Sequence, residues 1–279
     1  EPKTPIKYYV TASQVPQIYN YGGDLDLFSS LILKRYYEAL YQYAKLCIDL
    51  VYYNAVNLHL PITTISVVEG TALGGGLEAA LSCNVCIAEE QVQMGVPEIR
   101  FNLIPGMGAY SLLARSVGIR TAEEIISSGK TYDAATLHEM GVITMLSKNG
   151  EAEKSANRFM KRHGQFFNGM QAMQAARHRY APIDYDELLD ITRIWVEAAL
   201  KLTEKDIKMM KKLVEAQNQK NIDETKRLRT KQDRRFVEQP TVFPMMDSHG
   251  NIVVRDRRAN RDQRRGAAFS SAASASRAS

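Results

Sequence analysis

The order of apolar and polar positions along the chain predicts strands that alternate with helices. Lys7 to Ser13 is rich in β-forming residues and predicts a short strand. From Asp24, which can cap a helix, apolar residues recur every three to four positions, and a second helical stretch runs from about Arg35 to Val56. Ile62 to Val68 is a short, continuous, β-branched run, which is typical of a buried strand. This alternation indicates an α/β protein.

The second half of the chain is more helical than the first. Further strands are predicted at Asn84–Glu89 and near Val142–Ser147, and helical segments otherwise dominate to about Glu224. We therefore predict three parts, namely a core at residues 1–150, a helical module at residues 151–224, and a basic, largely disordered tail at residues 225–279.

The predicted tail ends in a low-complexity run of alanine and serine, which favours disorder. Before that run, residues 241–246 and 252–256 flank a possible hairpin turn.

Charge separates the tail from the body of the protein. The chain has 279 residues, 45% hydrophobic and 24% charged, which excludes collagen-like, coiled-coil and fully disordered classes. Residues 226–279 carry 13 Lys and Arg against 5 Asp and Glu, a net charge of +8. The remaining 23 basic and 26 acidic residues give the body a net charge of −3. The overall charge of +5 is therefore weak support for a nucleic-acid partner, which we do not expect.

The three cysteines favour neither a disulfide scaffold nor a zinc site. Their number is odd and low, and the Cys83-x-x-Cys86 pair has no second pair to complete four zinc ligands. We expect Cys47, Cys83 and Cys86 to be buried thiols. The N-terminus has no apolar signal-like segment, and no stretch of 18 apolar residues predicts a membrane span, so we expect a cytoplasmic location.

The strongest candidate for chemistry is a glycine cluster at residues 70–76, between a predicted strand and a predicted helix. Backbone N–H groups at a helix N-terminus, approachable because glycine has no Cβ, suit a phosphate or a developing oxyanion. Glu78 follows within the first helical turn, and Glu98 follows Pro97 after the next strand. Two carboxylates at such a site can divide acid and base work. The same pattern also fits a tight turn with a dipole-favouring Glu78 and a surface Glu98.

Longer stretches around these residues resemble the crotonase (enoyl-CoA hydratase/isomerase) superfamily. They are GTALGGGLEAALSC with GVPEIRFNLIPGMGAY, the earlier IYNYGGDLDLF and the later IISSGKTYDAATLHEMGVI, and the resemblance covers roughly residues 7–222. NYGGDLDLF, IPGMGAYS and ITRIWVEAALKLTEKDIKMMKKLVEAQ are similar to one branch, the diffusible-signal-factor synthases. Residues 108–112, Gly-Ala-Tyr-Ser-Leu, stand where ordinary hydratases have a Gly-Gly-Thr-Gln-Arg run.

The resemblance implies a crotonase-like ββα spiral core with a C-terminal helical trimerisation module. It also implies catalytic roles for Glu78 and Glu98, and an oxyanion hole formed by the backbone N–H groups of Gly23 and Gly75. Met107 and Trp195 are candidates for the acyl pocket; Trp195 also lies on an apolar helical stripe of the kind that usually belongs to a core. The family's first strands have no counterpart before Lys7, which predicts an open sheet edge.

For function, the resemblance implies an acyl-thioester dehydratase and thioesterase. Its substrate is a 3-hydroxyacyl group on acyl carrier protein, and its product a 2-unsaturated fatty acid signal. The alternatives are an enoyl-CoA hydratase of fatty-acid oxidation and a catalytically inactive crotonase-fold binding or assembly protein. No cofactor is expected beyond the acyl carrier protein or Coenzyme A that carries the substrate. A homotrimer or hexamer is expected.

Overall fold

The computed structural model describes residues 5–229, 245–246 and 252–253. The chain divides into two compact units, residues 1–236 and 237–279. In the second unit, β9 (Met245–Met246) and β10 (Ile252–Val253) pair antiparallel, as the predicted hairpin requires. The predicted tail otherwise lies outside the described residues, apart from the end of the last helix of the first unit.

Strands of the first unit alternate between two sheets. In chain order they are β1 (Tyr8–Ala12), β2 (Ile18–Asn20), β3 (Thr63–Val68), β4 (Thr71–Leu73), β5 (Val85–Glu89), β6 (Gln93–Gly95), β7 (Thr131–Asp133) and β8 (Met145–Ser147). One sheet has the order β1-β3-β5-β8 and is parallel throughout; the other has the order β2-β4-β6-β7, with only β7 antiparallel. Successive strand pairs therefore wind as a spiral, which confirms the predicted α/β architecture.

The helices surround this spiral. In chain order they are α1 (Leu25–Leu33), α2 (Tyr37–Ala55), α3 (Gly75–Ser82), α4 (Ala109–Val117), α5 (Ile119–Ser128), α6 (Ala134–Glu139), α7 (Ala152–Gly164), α8 (Phe167–Tyr180), α9 (Tyr185–Ala199) and α10 (Glu204–Arg229). As predicted, the Asp24 side chain caps α1, because it accepts a hydrogen bond from the Leu27 N–H at 2.9 Å.

Every residue of β3 and β5 is buried, because helices cover both faces of this sheet. Ile65 and Ile87 face α7, where they pack with Phe159. The alternate positions, including Val68 and Ala88, belong to the core between the sheets and α3. The two-residue period of the strands thus places α3, and with it the glycine cluster, directly against the centre of the spiral.

The second sheet was not predicted from the sequence. Pro16 and Gly22-Gly23 predict a loop over residues 14–23, but this segment contains β2, and the glycine cluster begins with β4. The four strands of this sheet have three residues each. A segment of that length is too short for an alternating hydrophobic pattern to be recognised.

A second group of helices packs around an apolar cluster of its own. Helices α1, α2, α9 and α10 enclose an apolar cluster around Phe28, Tyr43, Trp195 and Met210. Within the described residues, β1 pairs only with β3, and Tyr9 and Val10 on it are exposed.

Close backbone packing holds β2 against the turn before β4 and against α3. A Cβ on Gly76 would overlap the carbonyl oxygen of Asn20, and a Cβ on Gly70 would overlap the backbone of Gln17 and Ile18. Only glycine at these positions allows the two segments to approach so closely.

A pair of helical glycines tests this packing. Gly76→Ala is expected to lower the free energy of unfolding by about 1–3 kcal/mol, because the new methyl group meets backbone and not a movable side chain. Gly169→Ala in α8, where nothing lies within 4 Å of the added Cβ, is expected to raise it by about 0.5–1 kcal/mol. Denaturant unfolding measures both, and equal stability of the two variants would contradict the proposed close approach.

Candidate active site

One cavity brings together the residues singled out from the sequence. It lies between the N-terminus of α3, the loop after β2, the short 3-10 helix Glu98–Phe101, and helices α9 and α10. Its empty volume is about 680 Å³, including the part open to solvent. All six predicted site residues line it: Gly23, Gly75, Glu78, Glu98, Met107 and Trp195.

Glu78 is a buried carboxyl group anchored on one of its two oxygens. Its side chain is 1% exposed, and its Oε1 accepts hydrogen bonds from the backbone N–H groups of Met107 and Ala109, both at 2.8 Å. No group of the described residues donates to Oε2. Burial raises the pKa of Glu78 to about 7, while the two hydrogen bonds act in the opposite direction by stabilising the carboxylate.

The turn before α4 is shaped to make this contact. Gly108 has φ +101°, a left-handed conformation that glycine adopts readily, and Ala109 is the first residue of α4. The first N–H groups of a helix have no acceptor within the helix, so the Ala109 N–H is available to the carboxylate.

Glu98 lies in the 3-10 turn that follows β6. Its Oε2 is inaccessible and has no hydrogen-bond partner in the part of the chain that the structure describes. Its Oε1 lies beside Gly74, where an added Cβ would come within 2.5 Å. Burial, and secondly the charge of Glu78, raise the pKa of Glu98 to about 8. The alternative expectation of a solvated, surface Glu98 is therefore wrong.

The two carboxyl groups favour sharing one proton near neutral pH. Glu78 has two N–H donors that stabilise its charged form, whereas the inaccessible Oε2 of Glu98 has none. The negative charge of one also opposes ionisation of the other. The surroundings therefore favour the charged form at Glu78 and the protonated form at Glu98.

Two backbone segments with available N–H groups meet beside these glutamates. Gly22 has φ +91°, and a Cβ there would lie 2.8 Å from the Gly75 nitrogen. The Asn20 side chain holds the turn by accepting a hydrogen bond from the Gly22 N–H at 2.6 Å. The Gly23 N–H has no acceptor among the described residues, and Gly75 begins α3. Such a pair of donors suits a negatively charged oxygen.

The rest of the cavity wall is apolar. The Met107 sulfur lies against Gly75, at the point where a Cβ would project. Trp195 is 4% exposed; its ring packs flat on Gly106 and meets Phe28 edge-on, with 5.3 Å between ring centroids. Trp195 therefore belongs both to the core and to the cavity.

Several lining residues were not expected from the sequence. They are Tyr21, Leu25, Phe28, Ala44, Cys47, Phe101, Leu103, Met210 and Leu213. The spacing of Leu25 and Phe28 indicates an apolar face on α1, but the sequence carries no signal that this face, with α2 and α10, surrounds the glutamates.

The predicted buried thiols are observed at all three positions. Burial raises the pKa values of Cys47, Cys83 and Cys86 to about 12, 11 and 12. In the described ranges, no group of three or more His, Cys, Asp or Glu side chains is arranged to hold a metal ion. No helix among the described residues is long and apolar enough to span a membrane.

Comparison with known proteins assigns the chain to a family. The sequence model of the family described as enoyl-CoA hydratase/isomerase matches residues 10–180. Mouse mitochondrial methylglutaconyl-CoA hydratase is 34% identical over 121 residues, which cover 43% of this chain and 38% of that protein. Mouse mitochondrial enoyl-CoA hydratase domain-containing protein 2 is 36% identical over 99 residues, 35% of this chain and 33% of that protein. The matched regions thus span between a third and two fifths of these relatives.

Solved structures share the fold at low sequence identity. Human mitochondrial Δ3-Δ2-enoyl-CoA isomerase superposes with a TM-score of 0.63 at 16% identity, covering 77% of this chain and 81% of that chain. Enoyl-CoA hydratase from Bacillus anthracis gives 0.55 at 21% identity, covering 74% and 76%. The spiral core with C-terminal helices is therefore a crotonase-like fold, and since the family model matches more than half of the residues, the chain belongs to the enoyl-CoA hydratase/isomerase family.

Proposed function

We propose that this protein adds water to 2-enoyl thioesters, or removes it from 3-hydroxyacyl thioesters, through Glu78 and Glu98. The observation that carries the proposal is the pair of buried carboxyl groups with different hydrogen-bond environments in one cavity, beside the N–H groups of Gly23 and Gly75. Addition and elimination of water both need one group that takes a proton and one that gives a proton.

In the hydration direction, Glu78 is the base. Its Oε1 is held by two N–H groups, which leaves Oε2 to take a proton from a water molecule as the water oxygen bonds to the β-carbon. Glu98 then donates its proton to the α-carbon, so the proton gained by one glutamate balances the proton lost by the other. In dehydration each transfer runs backwards.

The N–H groups of Gly23 and Gly75 would stabilise the thioester oxygen. Negative charge develops on that oxygen when the α-carbon gains or loses its proton, because the intermediate has enolate character. Preorganised N–H donors in a site with little water stabilise such a charge strongly. A helix N-terminus adds the positive end of the α3 dipole.

A more specific form of this proposal is a dehydratase that also hydrolyses the thioester. It rests on the resemblance of the IPGMGAYS segment to the signal synthases. In this chain the same segment supplies the Met107 and Ala109 N–H groups that hold Glu78. The product would be a free 2-unsaturated fatty acid.

Substitution of either glutamate by its amide tests the catalytic pair. Glu78→Gln and Glu98→Gln are each expected to lower kcat by about 10²–10⁴-fold, the usual contribution of a positioned acid or base. Hydration of 2-octenoyl-CoA, followed by loss of the enoyl absorbance, measures the effect. Glu139→Gln is the matched control, because Glu139 is an exposed glutamate at the end of α6 and does not line the cavity. Full activity in both cavity variants would contradict the mechanism.

The pKa values of the ligand-free protein predict a bell-shaped dependence of kcat/KM on pH. Hydration needs Glu78 without its proton and Glu98 with one, so kcat/KM should fall below about pH 7 and above about pH 8. The residual activity of Glu98→Gln should lack the alkaline fall, because an amide has no proton to lose there. A profile that is flat from pH 5 to pH 10 in the native enzyme would refute these roles.

Product identity separates the three candidate functions. The protein is incubated with the 3-hydroxyacyl group on acyl carrier protein and, separately, on Coenzyme A, and products are identified by mass spectrometry. Free 2-enoic acid supports the dehydratase and thioesterase. Enoyl thioester without free acid, formed faster from Coenzyme A, indicates an enoyl-CoA hydratase. No turnover of either substrate indicates the inactive binding or assembly protein.

A further inference from the structure

A second cavity lies at the C-terminal ends of α3 and α4, the two helices whose N-terminal ends meet at Glu78. It is bordered by the C-terminal ends of α3, α4 and α8 and by the loop before β8, and its empty volume is about 1010 Å³, including the part open to solvent. No residue lines both cavities. The proposed chemistry at Glu78 makes no use of this second space.

Among the described residues, the second cavity is lined by basic side chains and by no aspartate or glutamate. The basic side chains are Arg115, Arg177 and His178, and burial lowers the pKa of His178, so its imidazole is neutral near pH 7. Arg115 is already neutralised, because its guanidinium forms an ion pair with Glu187 at 2.6 Å and donates from Nε to the Pro182 carbonyl at 2.9 Å. Its Nη1 donates to the Ser111 carbonyl at 3.1 Å and to Glu187 Oε1 at 2.9 Å, so at most one of its five N–H groups is left for a ligand.

Arg177 is the basic side chain left without a partner. It forms no ion pair, hydrogen bond or ring contact with any described residue, and partial burial lowers its pKa with no acidic group acting against this. The Arg177 guanidinium is not needed as a donor to the free carbonyl groups at a helix C-terminus. Its own carbonyl accepts from the Ala181 N–H at 2.8 Å, and the Leu112 carbonyl at the end of α4 accepts from the Ser116 hydroxyl at 2.9 Å.

A buried amide adds a second free donor. Asn84 is 8% exposed and lines the cavity; its Oδ1 accepts from the Thr64 N–H at 3.2 Å, and its Nδ2 has no acceptor among the described residues. This Nδ2 group is not among the inaccessible polar atoms of the described residues, so it is open to the cavity and free to donate to a ligand oxygen. The neighbouring wall is apolar and includes Leu81, Leu112 and Val142.

We infer that this second cavity binds a small amphiphilic anion, namely a carboxylate on a short hydrocarbon chain. The carboxylate oxygens would accept hydrogen bonds from the Arg177 guanidinium and the Asn84 amide. The hydrocarbon chain would lie along the apolar wall. This site is separate from the catalytic cavity and does not depend on the proposed reaction.

Isothermal titration of the full chain with sodium octanoate tests this inference. Arg177→Gln is compared with Arg179→Gln, because Arg179 lies on the same helix end and is exposed, as Arg177 is, but does not line the cavity. Loss of a charge-assisted hydrogen bond should weaken octanoate binding by about tenfold or more in Arg177→Gln and leave Arg179→Gln unchanged. Any octanoate that binds in the catalytic cavity would contribute equally to the binding measured for the two variants.

Further arms make the result specific. Asn84→Asp keeps an acceptor for Thr64 but replaces the free donor by a negative charge, so it too should weaken binding. Acetate, which lacks the chain, and octan-1-ol, which lacks the charge, should bind at least about tenfold more weakly than octanoate. Native octanoate affinity in Arg177→Gln or in Asn84→Asp overturns the inference, as does equal affinity for octan-1-ol. Hydration activity should be unaltered in Arg177→Gln, so this test stands apart from that of the catalytic pair.

Discussion

The double hydrogen bond from the turn before α4 to Glu78 fixes the geometry on which the rest of the site depends. Both N–H groups reach the same oxygen at 2.8 Å, so the side chain has one anchored end and one open end. The contact also joins α3 to α4 across the cavity floor. Because Gly75 and Glu78 share the first turn of α3, any movement of this turn would displace the proposed oxyanion donor and the proposed base together.

Burying two carboxyl groups in one cavity opposes folding, and the surrounding structure has to offset it. The offset comes from the apolar core that packs against α3 on one side and from the cluster of Phe28, Trp195 and Met210 on the other. The glycines at 70, 74, 75 and 76 are needed for this close packing, because a side chain at each position would overlap backbone, Glu98 or Met107. The glycine cluster therefore serves packing as well as the proposed chemistry. The interpretation as a tight turn is compatible with the functional one, except that Glu98 is not a surface side chain.

Sequence pattern predicted the elements whose signal is local. The buried run of β3, the cap at Asp24 and the helix start after the glycine cluster were all predicted, because each depends on a few consecutive residues. The β2-β4-β6-β7 sheet was not, because three-residue strands are defined by their partners. The six site residues came from the family resemblance combined with the glycine pattern. Residues on α10 that complete the cavity were missed, because no local signal tells which helix will cover which opening.

The burial of Glu98 shows why both the family resemblance and the observed geometry are needed to assign its role. Taken alone, a glutamate after a proline in a loop reads as a solvated side chain. The structure places it against Gly74, whose positive φ of +54° and missing side chain leave room for the carboxyl group. Removal from water then raises its pKa, and the anchored charge of Glu78 raises it further. Two chemically identical groups thereby differ in the protonation state that their surroundings favour. In the proposed reaction, water is added when the shared proton lies on Glu98 and removed when it lies on Glu78, so the hydrogen bonds to Glu78 favour the arrangement that adds water. The equilibrium between the two directions is still set by the substrate and not by the glutamates.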